Sequence, residues 1–133
     1  MLWASGTLVA RAVVDSANAV VEGNESNNTL QVTLPAIADQ TPPVMSHLTP
    51  GNQAKVRATT TVTAYATDNH QVANYWFEMS TNGTTWTTLG NGASNQVAWN
   101  VSGLADATYQ LRVTATDPSN NSSSLTYSYV VDN

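Results

Sequence analysis

The sequence contains no cysteine, and this absence removes several kinds of chemistry at once. Disulfide bonds, thiolate nucleophiles and cysteine-ligated metals are all excluded. A secreted domain without disulfides depends on its hydrophobic core or on bound ions for its stability.

Charge is also scarce. Charged residues make up 10% of the 133 residues, with 4 Lys and Arg against 9 Asp and Glu, and the net charge is -5. Nucleic acids and anionic membrane surfaces are bound through clustered Lys and Arg, so the composition argues against both partners. No apolar stretch approaches the roughly 20 residues of a membrane helix, and we expect no membrane insertion.

The first residues show neither the basic end nor the apolar segment of a signal peptide. Thr, Ser and Asn are abundant, as in many secreted β-proteins. We therefore expect an extracellular or cell-surface location, an export signal outside this chain, and neighbouring modules of a longer chain as partners.

Two stretches of the same form organise the rest of the chain. Residues 62–69 and 109–117 alternate apolar and polar side chains with period two, and each ends in an Asp-led loop. This pattern predicts half-buried strands.

Similar patterns between residues 42 and 133 predict seven strands in all, at 44–48, 59–67, 72–80, 85–89, 97–101, 109–116 and 125–131. Asn82-Gly83 predicts a tight hairpin turn, and Gly90-Asn91-Gly92 predicts a second turn.

Seven short strands at this spacing predict an all-β, immunoglobulin-like Greek-key sandwich. Tyr109, at the start of the sixth strand, is typical of the tyrosine corner of such sandwiches. Residues 42–133 resemble the bacterial Ig-like domains that occur in tandem on large surface and secreted proteins. The resemblance is carried by Pro42-Pro43, Ala66-Thr67-Asp68-Asn69 with Val72, Ser80-Thr81-Asn82-Gly83-Thr84-Thr85-Trp86 and Ala115-Thr116-Asp117.

Residues 1–34 predict an extra N-terminal β-hairpin with a long polar loop. They resemble the C-terminal third of the bacterial cell-adhesion-related (CARDB) domain. The residues that carry this resemblance are Trp3, Gly6, Val14-Asp15, Asn18, Val21-Glu22 and Asn24-Glu25-Ser26-Asn27-Asn28. Residues 35–41 predict a short, stiff linker between this hairpin and the sandwich at 42–133.

Several acids are expected to meet at one end of the sandwich. The second and sixth strands run in the same direction, so Asp68, Asn69 and Asp117 emerge at one pole, where the linker residue Asp39 also lies. Oxygen ligands of this kind bind Ca²⁺, which would stiffen the joint between modules. The alternative is that each Asp caps its own turn.

A second acidic group, Asp15, Glu22 and Glu25, lies in the loop of the N-terminal hairpin. It is interpreted either as another Ca²⁺ site or as a loop tied by its own hydrogen bonds. Carbohydrate contact by Trp76 and Tyr65 is a further hypothesis. Its alternative is that Trp76 covers the flank of the sandwich or a neighbouring module.

No catalytic residues are predicted. The only histidines, His47 and His70, fall on an edge strand and in a loop, and the lipase-type Gly-x-Ser-x-Gly elbow is absent. The leading hypothesis is a non-catalytic extracellular spacer or adhesion module of a bacterial surface or secreted protein, with Ca²⁺ as a candidate cofactor and a cell-surface or polysaccharide ligand as a candidate further partner. The alternative is a carbohydrate-binding accessory module of a secreted hydrolase.

Overall fold

A computed structural model describes residues 8–13, 29–34 and 37–133. The chain divides into two compact units, Met1–Ala38 and Asp39–Asn133. Regular structure in the described residues consists of β-strands, and no helix among them could cross a membrane. Asp39, which the sequence assigned to the linker, is the first residue of the second unit.

The first unit contains an antiparallel pair of strands, β1 (Leu8–Val13) and β2 (Thr29–Leu34). Leu8 lies opposite Leu34, and Val13 lies opposite Thr29. The predicted pairing of these two strands is therefore confirmed. All of the residues that carry the CARDB resemblance lie outside the described residues, and that resemblance stays a prediction.

The second unit is built from eight strands in two sheets. They are β3 (Val44–Thr49), β4 (Lys55–Val56), β5 (Thr59–Thr67), β6 (Asn74–Ser80), β7 (Thr87–Gly92), β8 (Gln96–Asn100), β9 (Ala107–Thr116) and β10 (Ser122–Val131). One sheet has the order β3-β5-β8, and the other has the order β4-β10-β9-β6-β7. The chain crosses between the sheets after β3, β4, β5, β7 and β8. The predicted immunoglobulin-like sandwich is thus confirmed.

The core lies between the two sheets and is formed by the inward residues of the period-two patterns. Phe77 from one sheet and Val62 from the other are both buried. Trp99 packs edge-to-face against Tyr109 and Tyr129, with ring centroids 6.2 and 5.9 Å away. The tyrosine corner forms as predicted, because the Tyr109 hydroxyl donates to the carbonyl of Ala105 at 3.2 Å.

Two features differ from the sequence expectation. Lys55–Val56 forms an eighth strand that pairs in parallel with the end of β10. Gly90 and Gly92, which were predicted to make a turn, lie within β7 and pair with β6. A Cβ on Gly90 would lie 2.9 Å from Val97 Cγ2, so this glycine permits a close approach rather than a turn.

The outer face of the larger sheet carries a buried ion pair. Glu78 on β6 faces Arg112 on β9, and Glu78 Oε2 accepts hydrogen bonds from Arg112 Nε at 3.0 Å and Nη2 at 2.7 Å. The guanidinium carbon lies 4.1 Å from the centroid of the Trp86 ring. Trp86 therefore covers the ion pair through a cation–π contact.

Candidate metal centre

Three acids from distant parts of the sequence meet at one pole of the sandwich. Asp68 follows β5, Asp117 follows β9, and Asp39 precedes β3. One carboxylate oxygen from each of the three lies within 4.8 Å of the others. The structure therefore brings together the three acids that the strand directions placed at a common end.

Asp68 uses one of its two oxygens to cap its own turn. Asp68 Oδ2 accepts hydrogen bonds from the backbone N–H groups of His70 at 3.0 Å and Gln71 at 2.9 Å. Oδ1 is buried and receives no hydrogen bond from the described residues. A buried carboxylate oxygen without a donor is costly, so this atom needs a further partner.

Asp39 is arranged in the same way. Asp39 Oδ1 accepts the backbone N–H of Thr41 at 3.0 Å and the side-chain amide of Asn69 at 3.2 Å, while Oδ2 is buried and receives no donor from the described part of the chain. The N–H of Thr41 and then the Asn69 amide lower the pKa of Asp39, which favours its carboxylate form. Asn69, predicted as an oxygen ligand, thus contacts Asp39 through its nitrogen.

Asp117 is the most deeply buried of the three, with 2% of its surface exposed. Its Oδ1 accepts the backbone N–H groups of Ser119 and Asn121, both at 2.8 Å. Its Oδ2 accepts the side-chain amide of Asn121 at 2.7 Å. The turn is closed by Asn120, which adopts a positive φ of 67° that Asn tolerates better than most residues.

The capping and cation hypotheses are therefore compatible at these three positions. Each Asp satisfies backbone N–H groups with one oxygen, as the capping hypothesis requires. Capping does not account for the second oxygens of Asp39 and Asp68, which are buried without a donor beside another carboxylate. Like charges this close repel each other, and a cation between them would remove the repulsion.

The three oxygens lie close enough together to surround one divalent cation. Ligands on opposite sides of a Ca²⁺ ion lie about 4.8 Å apart, because each Ca–O distance is about 2.4 Å. The corresponding separation around Mg²⁺ is about 4.2 Å, and Mg²⁺ demands a stricter octahedron. A set of carboxylate oxygens within 4.8 Å of one another fits around a single Ca²⁺.

Asn121 is a site residue that the sequence interpretation missed. Its Nδ2 donates to Asp117 Oδ2 and also to the backbone carbonyl of Asp39, at 2.9 Å. The signal available in the sequence was its position four residues after Asp117 in the same turn. Nothing in the pattern shows that this amide reaches the segment before β3.

The remaining predicted site residues are not brought together. Tyr65 lies on β5 and Trp76 on β6, in different sheets and on outward-facing positions. Tyr65 stacks on His47 with a centroid distance of 4.3 Å, and Trp76 Nε1 donates to Thr88 Oγ1 at 3.1 Å. These two aromatic side chains therefore do not form a single binding platform.

The second acidic group is the one predicted in the loop of the N-terminal hairpin. Asp15, Glu22 and Glu25 lie outside the described residues. Their role as a second Ca²⁺ site stays a prediction.

The fold and its loops define an immunoglobulin-like β-sandwich module. The bacterial Ig domain family matches residues 43–113, more than half of the 133 residues. The chain belongs to the bacterial Ig domain family. The search among curated proteins found no match.

Several solved structures resemble the sandwich at low sequence identity. An endo-β-1,4-mannanase from Thermotoga petrophila matches with a TM-score of 0.51 and 9% identity over 71% of this chain. The match covers 20% of the mannanase chain. CopC from Methylosinus trichosporium OB3b matches with a TM-score of 0.44 and 13% identity, over 68% of this chain and 93% of that chain. At such identities, the mannanase likeness shows the fold alone.

Proposed function

We propose that this protein is a non-catalytic module of a bacterial surface or secreted protein, located outside the cell and stabilised by Ca²⁺. In this proposal it acts as a spacer or adhesive unit between neighbouring modules. The observation that carries the proposal is the convergence of Asp39, Asp68 and Asp117, with two buried carboxylate oxygens that have no donor in the described residues.

The position of Asp39 explains what the ion would do mechanically. Asp39 begins the compact unit, and several hydrogen bonds hold the segment from Asp39 to Pro43. The Asn121 amide binds the Asp39 carbonyl, and the Ser123 hydroxyl donates to the Pro43 carbonyl. The Asn69 amide also donates to Asp39 Oδ1. A cation held by Asp39, Asp68 and Asp117 would add a further tie and fix the direction in which the chain enters the sandwich.

The proposed absence of catalysis is supported by the hydrogen bonds of the candidate groups. Ser46 Oγ lies 3.1 Å from His47 Nδ1, which is the distance expected between a serine nucleophile and its general base. The Ser46 hydroxyl, however, donates to the backbone carbonyl of Tyr65 at 3.0 Å. Asp68 and Asp117 each cap a turn with one oxygen. These groups are used in holding the fold.

Thermal unfolding of the full chain in Ca²⁺ and in chelator tests the proposal. A ligand that binds only the folded state at one hundred times its dissociation constant stabilises that state by about 2.7 kcal/mol. For a domain of this size, such a gain raises the unfolding midpoint by about 10–20 °C. Asp68→Asn and Asp117→Asn keep the capping oxygen but remove the charge, and we expect each to lose most of the Ca²⁺-dependent shift.

Asp106→Asn is the matched control, because Asp106 is exposed and only accepts the backbone N–H of Asn133. This variant should keep the full Ca²⁺ response. The proposal of a calcium-stabilised module fails if the wild-type midpoint is the same in Ca²⁺ and in chelator.

Carbohydrate binding is a second candidate function, favoured by Trp76. Trp76 is 40% exposed, and the hydrogen bond from Nε1 to Thr88 holds its ring in place. An exposed, fixed aromatic ring suits stacking against a sugar. Affinity electrophoresis in gels containing neutral polysaccharides should then show retardation that Trp76→Ala abolishes. Retardation that survives this change, or no retardation with any polysaccharide, would remove this candidate.

A further inference from the structure

The side chain of Asn121 occupies the gap between two parts of the proposed Ca²⁺ site. Its Nδ2 donates to Asp117 Oδ2 at 2.7 Å and to the backbone carbonyl of Asp39 at 2.9 Å. The amide N–H groups thus place partial positive charge between these two oxygens, as a bound cation would.

The backbone of Asn121 is held by two hydrogen bonds, and a rotation about its Cβ–Cγ bond alone would exchange the positions of its amide nitrogen and oxygen. Its backbone N–H donates to Asp117 Oδ1 at 2.8 Å, and its carbonyl accepts the N–H of Asp117 at 3.0 Å. The two ends of an Asn side-chain amide have nearly the same size and opposite hydrogen-bonding character. A half-turn of the amide would place Oδ1 where Nδ2 now lies, without moving the backbone.

After such a half-turn, Oδ1 would lie about 2.7–2.9 Å from Asp117 Oδ2 and the Asp39 carbonyl, as the present nitrogen does. Two oxygens at this distance without a hydrogen between them repel each other. Around Ca²⁺ the same distance is favourable, because neighbouring in-plane ligands of a pentagonal bipyramid lie about 2.8 Å apart when the Ca–O distance is about 2.4 Å.

We propose that Asn121 is a ligand of the Ca²⁺ site and that its amide turns by half a rotation when the ion binds. This inference rests on the proposed cation site at Asp39, Asp68 and Asp117. It adds the Asn121 amide oxygen and the Asp39 backbone carbonyl to three carboxylates. Five protein oxygens leave room for water within the six to eight ligands that Ca²⁺ takes.

The proposal also explains how the turn stays closed without the ion. In the ion-free form, the Asn121 amide nitrogen holds Asp117 and Asp39 together through hydrogen bonds. In the bound form, the ion holds the same groups together through their oxygens. Ca²⁺ therefore replaces one set of ties with another and leaves the connection between the β9–β10 turn and the segment before β3 intact.

Nuclear magnetic resonance of the wild-type full chain provides the direct test. The two side-chain amide protons of Asn121, assigned by triple-resonance spectra, are both hydrogen-bonded in chelator and should exchange slowly with water. On saturation with Ca²⁺ they should shift and exchange faster, because both acceptors now face the amide oxygen. Asn121 protons that keep their positions and slow exchange, while calorimetry records Ca²⁺ binding, would overturn the inference but leave the cation site standing.

A charge variant provides a second test. Asn121→Asp places a carboxylate at the ligand position and should bind Ca²⁺ about tenfold more tightly than the wild type, since ligand charge strongly tunes such sites. Asn120→Asp adds the same charge to the same turn at an exposed residue, and should change the affinity by less than about twofold.

Equal affinities for Asn121→Asp and Asn120→Asp would contradict the assignment of Asn121 as a ligand. If calorimetry of the wild type shows no Ca²⁺ binding at all, the cation site itself is absent and this inference falls with it. The amide signals and the calorimetric binding therefore separate failure of the ligand assignment from failure of the site.

Discussion

Removal of the Arg112 side chain should be one of the most damaging single changes on the outer face of the sandwich. Its partner Glu78 is 5% exposed, and both hydrogen bonds to its carboxylate within the described residues come from Arg112. Arg112→Met keeps the apolar stem nearest the backbone but removes the guanidinium, so the cation–π contact with Trp86 is lost and a buried carboxylate is left without a donor. The change thus tests the guanidinium group rather than the packing of the core.

The expected magnitude follows from the burial of the two partners. Breaking a buried ion pair by removing one partner costs about 3–5 kcal/mol. The side chain of Arg112 is 33% exposed and that of Glu78 is 6% exposed, so water reaches the pair from one side. We therefore expect the lower end of that range, about 3 kcal/mol, which corresponds to about 10–20 °C in the unfolding midpoint.

Urea unfolding at neutral pH, followed by tryptophan fluorescence, measures this cost. The double variant Glu78→Met with Arg112→Met removes both charges, and replacing a buried pair by apolar residues is often neutral. It should recover most of the lost stability. An Arg112→Met variant that loses less than about 1 kcal/mol, or a double variant as unstable as the single one, would refute the reasoning.

Lys55 and Asp132 form the matched control. They make an ion pair of the same length, 2.7 Å, but with 74% and 52% of their side chains exposed. The pair raises the pKa of Lys55 and lowers that of Asp132, through their hydrogen bond first and their opposite charges second. Exposed pairs contribute little, so Lys55→Met should leave the urea midpoint unchanged within error.

Three further variants test local features. Gly90→Ala should cost about 1–3 kcal/mol in urea unfolding because its Cβ would press on Val97, whereas Gly92→Ala, with no atom near its Cβ, should be neutral or slightly stabilising. Asn82→Asp should raise the free energy of unfolding by about 0.5 kcal/mol, because Oδ1 already accepts two backbone N–H groups and a charged acceptor binds them more strongly. A lower urea midpoint would contradict this expectation. Burial raises the pKa of Tyr129 to about 12 from 10.0, so its stabilising contribution is present below pH 10 and is lost as the pH rises through 12. Tyr129→Phe should therefore flatten the fall of the urea midpoint in that window, and an unchanged slope would contradict the assignment.

The strands of the sandwich could be predicted because their side chains alternate. The period-two pattern at residues 59–67 coincides with β5 over its whole length. The tyrosine corner was predictable from Tyr109 and its distance from the preceding turn, since the motif is local. These features depend on side chains close together in sequence, which a single sequence displays directly.

The features that escaped prediction depend on contacts between distant residues. Lys55–Val56 is too short to show a period, and it is a strand only because its backbone pairs with the end of β10. Gly90 is a residue type common in turns, but it lies in a strand because its backbone pairs with Phe77 of β6, and Val97 then leaves no room for a Cβ. In both cases the deciding partner lies on another strand, so local pattern alone does not identify it.

The candidate site was predictable at the level of topology but not of atoms. Strand direction alone placed Asp68 and Asp117 at one pole, and the start of the first strand placed Asp39 there too. The role of Asn121 depends on where the backbone carbonyl of Asp39 lies, to within the length of a hydrogen bond. The sequence also does not show that Asn69 directs its amide nitrogen, rather than its amide oxygen, towards Asp39.

The two oxygens of each Asp decide between the capping and cation hypotheses. Capping alone requires one acceptor oxygen at Asp68, so Asp68→Asn would preserve it at little cost in chelator, whereas Asp117→Asn would also lose the hydrogen bond from the Asn121 amide. A cation site requires the second oxygen of Asp68 and its charge as well, so Asp68→Asn would lose the response to Ca²⁺. Because the ligands come from three segments that meet only in the folded sandwich, Ca²⁺ at this site would bind the folded state and stabilise it by mass action. A charge-removing variant that is harmless in chelator and unresponsive in Ca²⁺ therefore distinguishes the cation site from a set of independent turn caps.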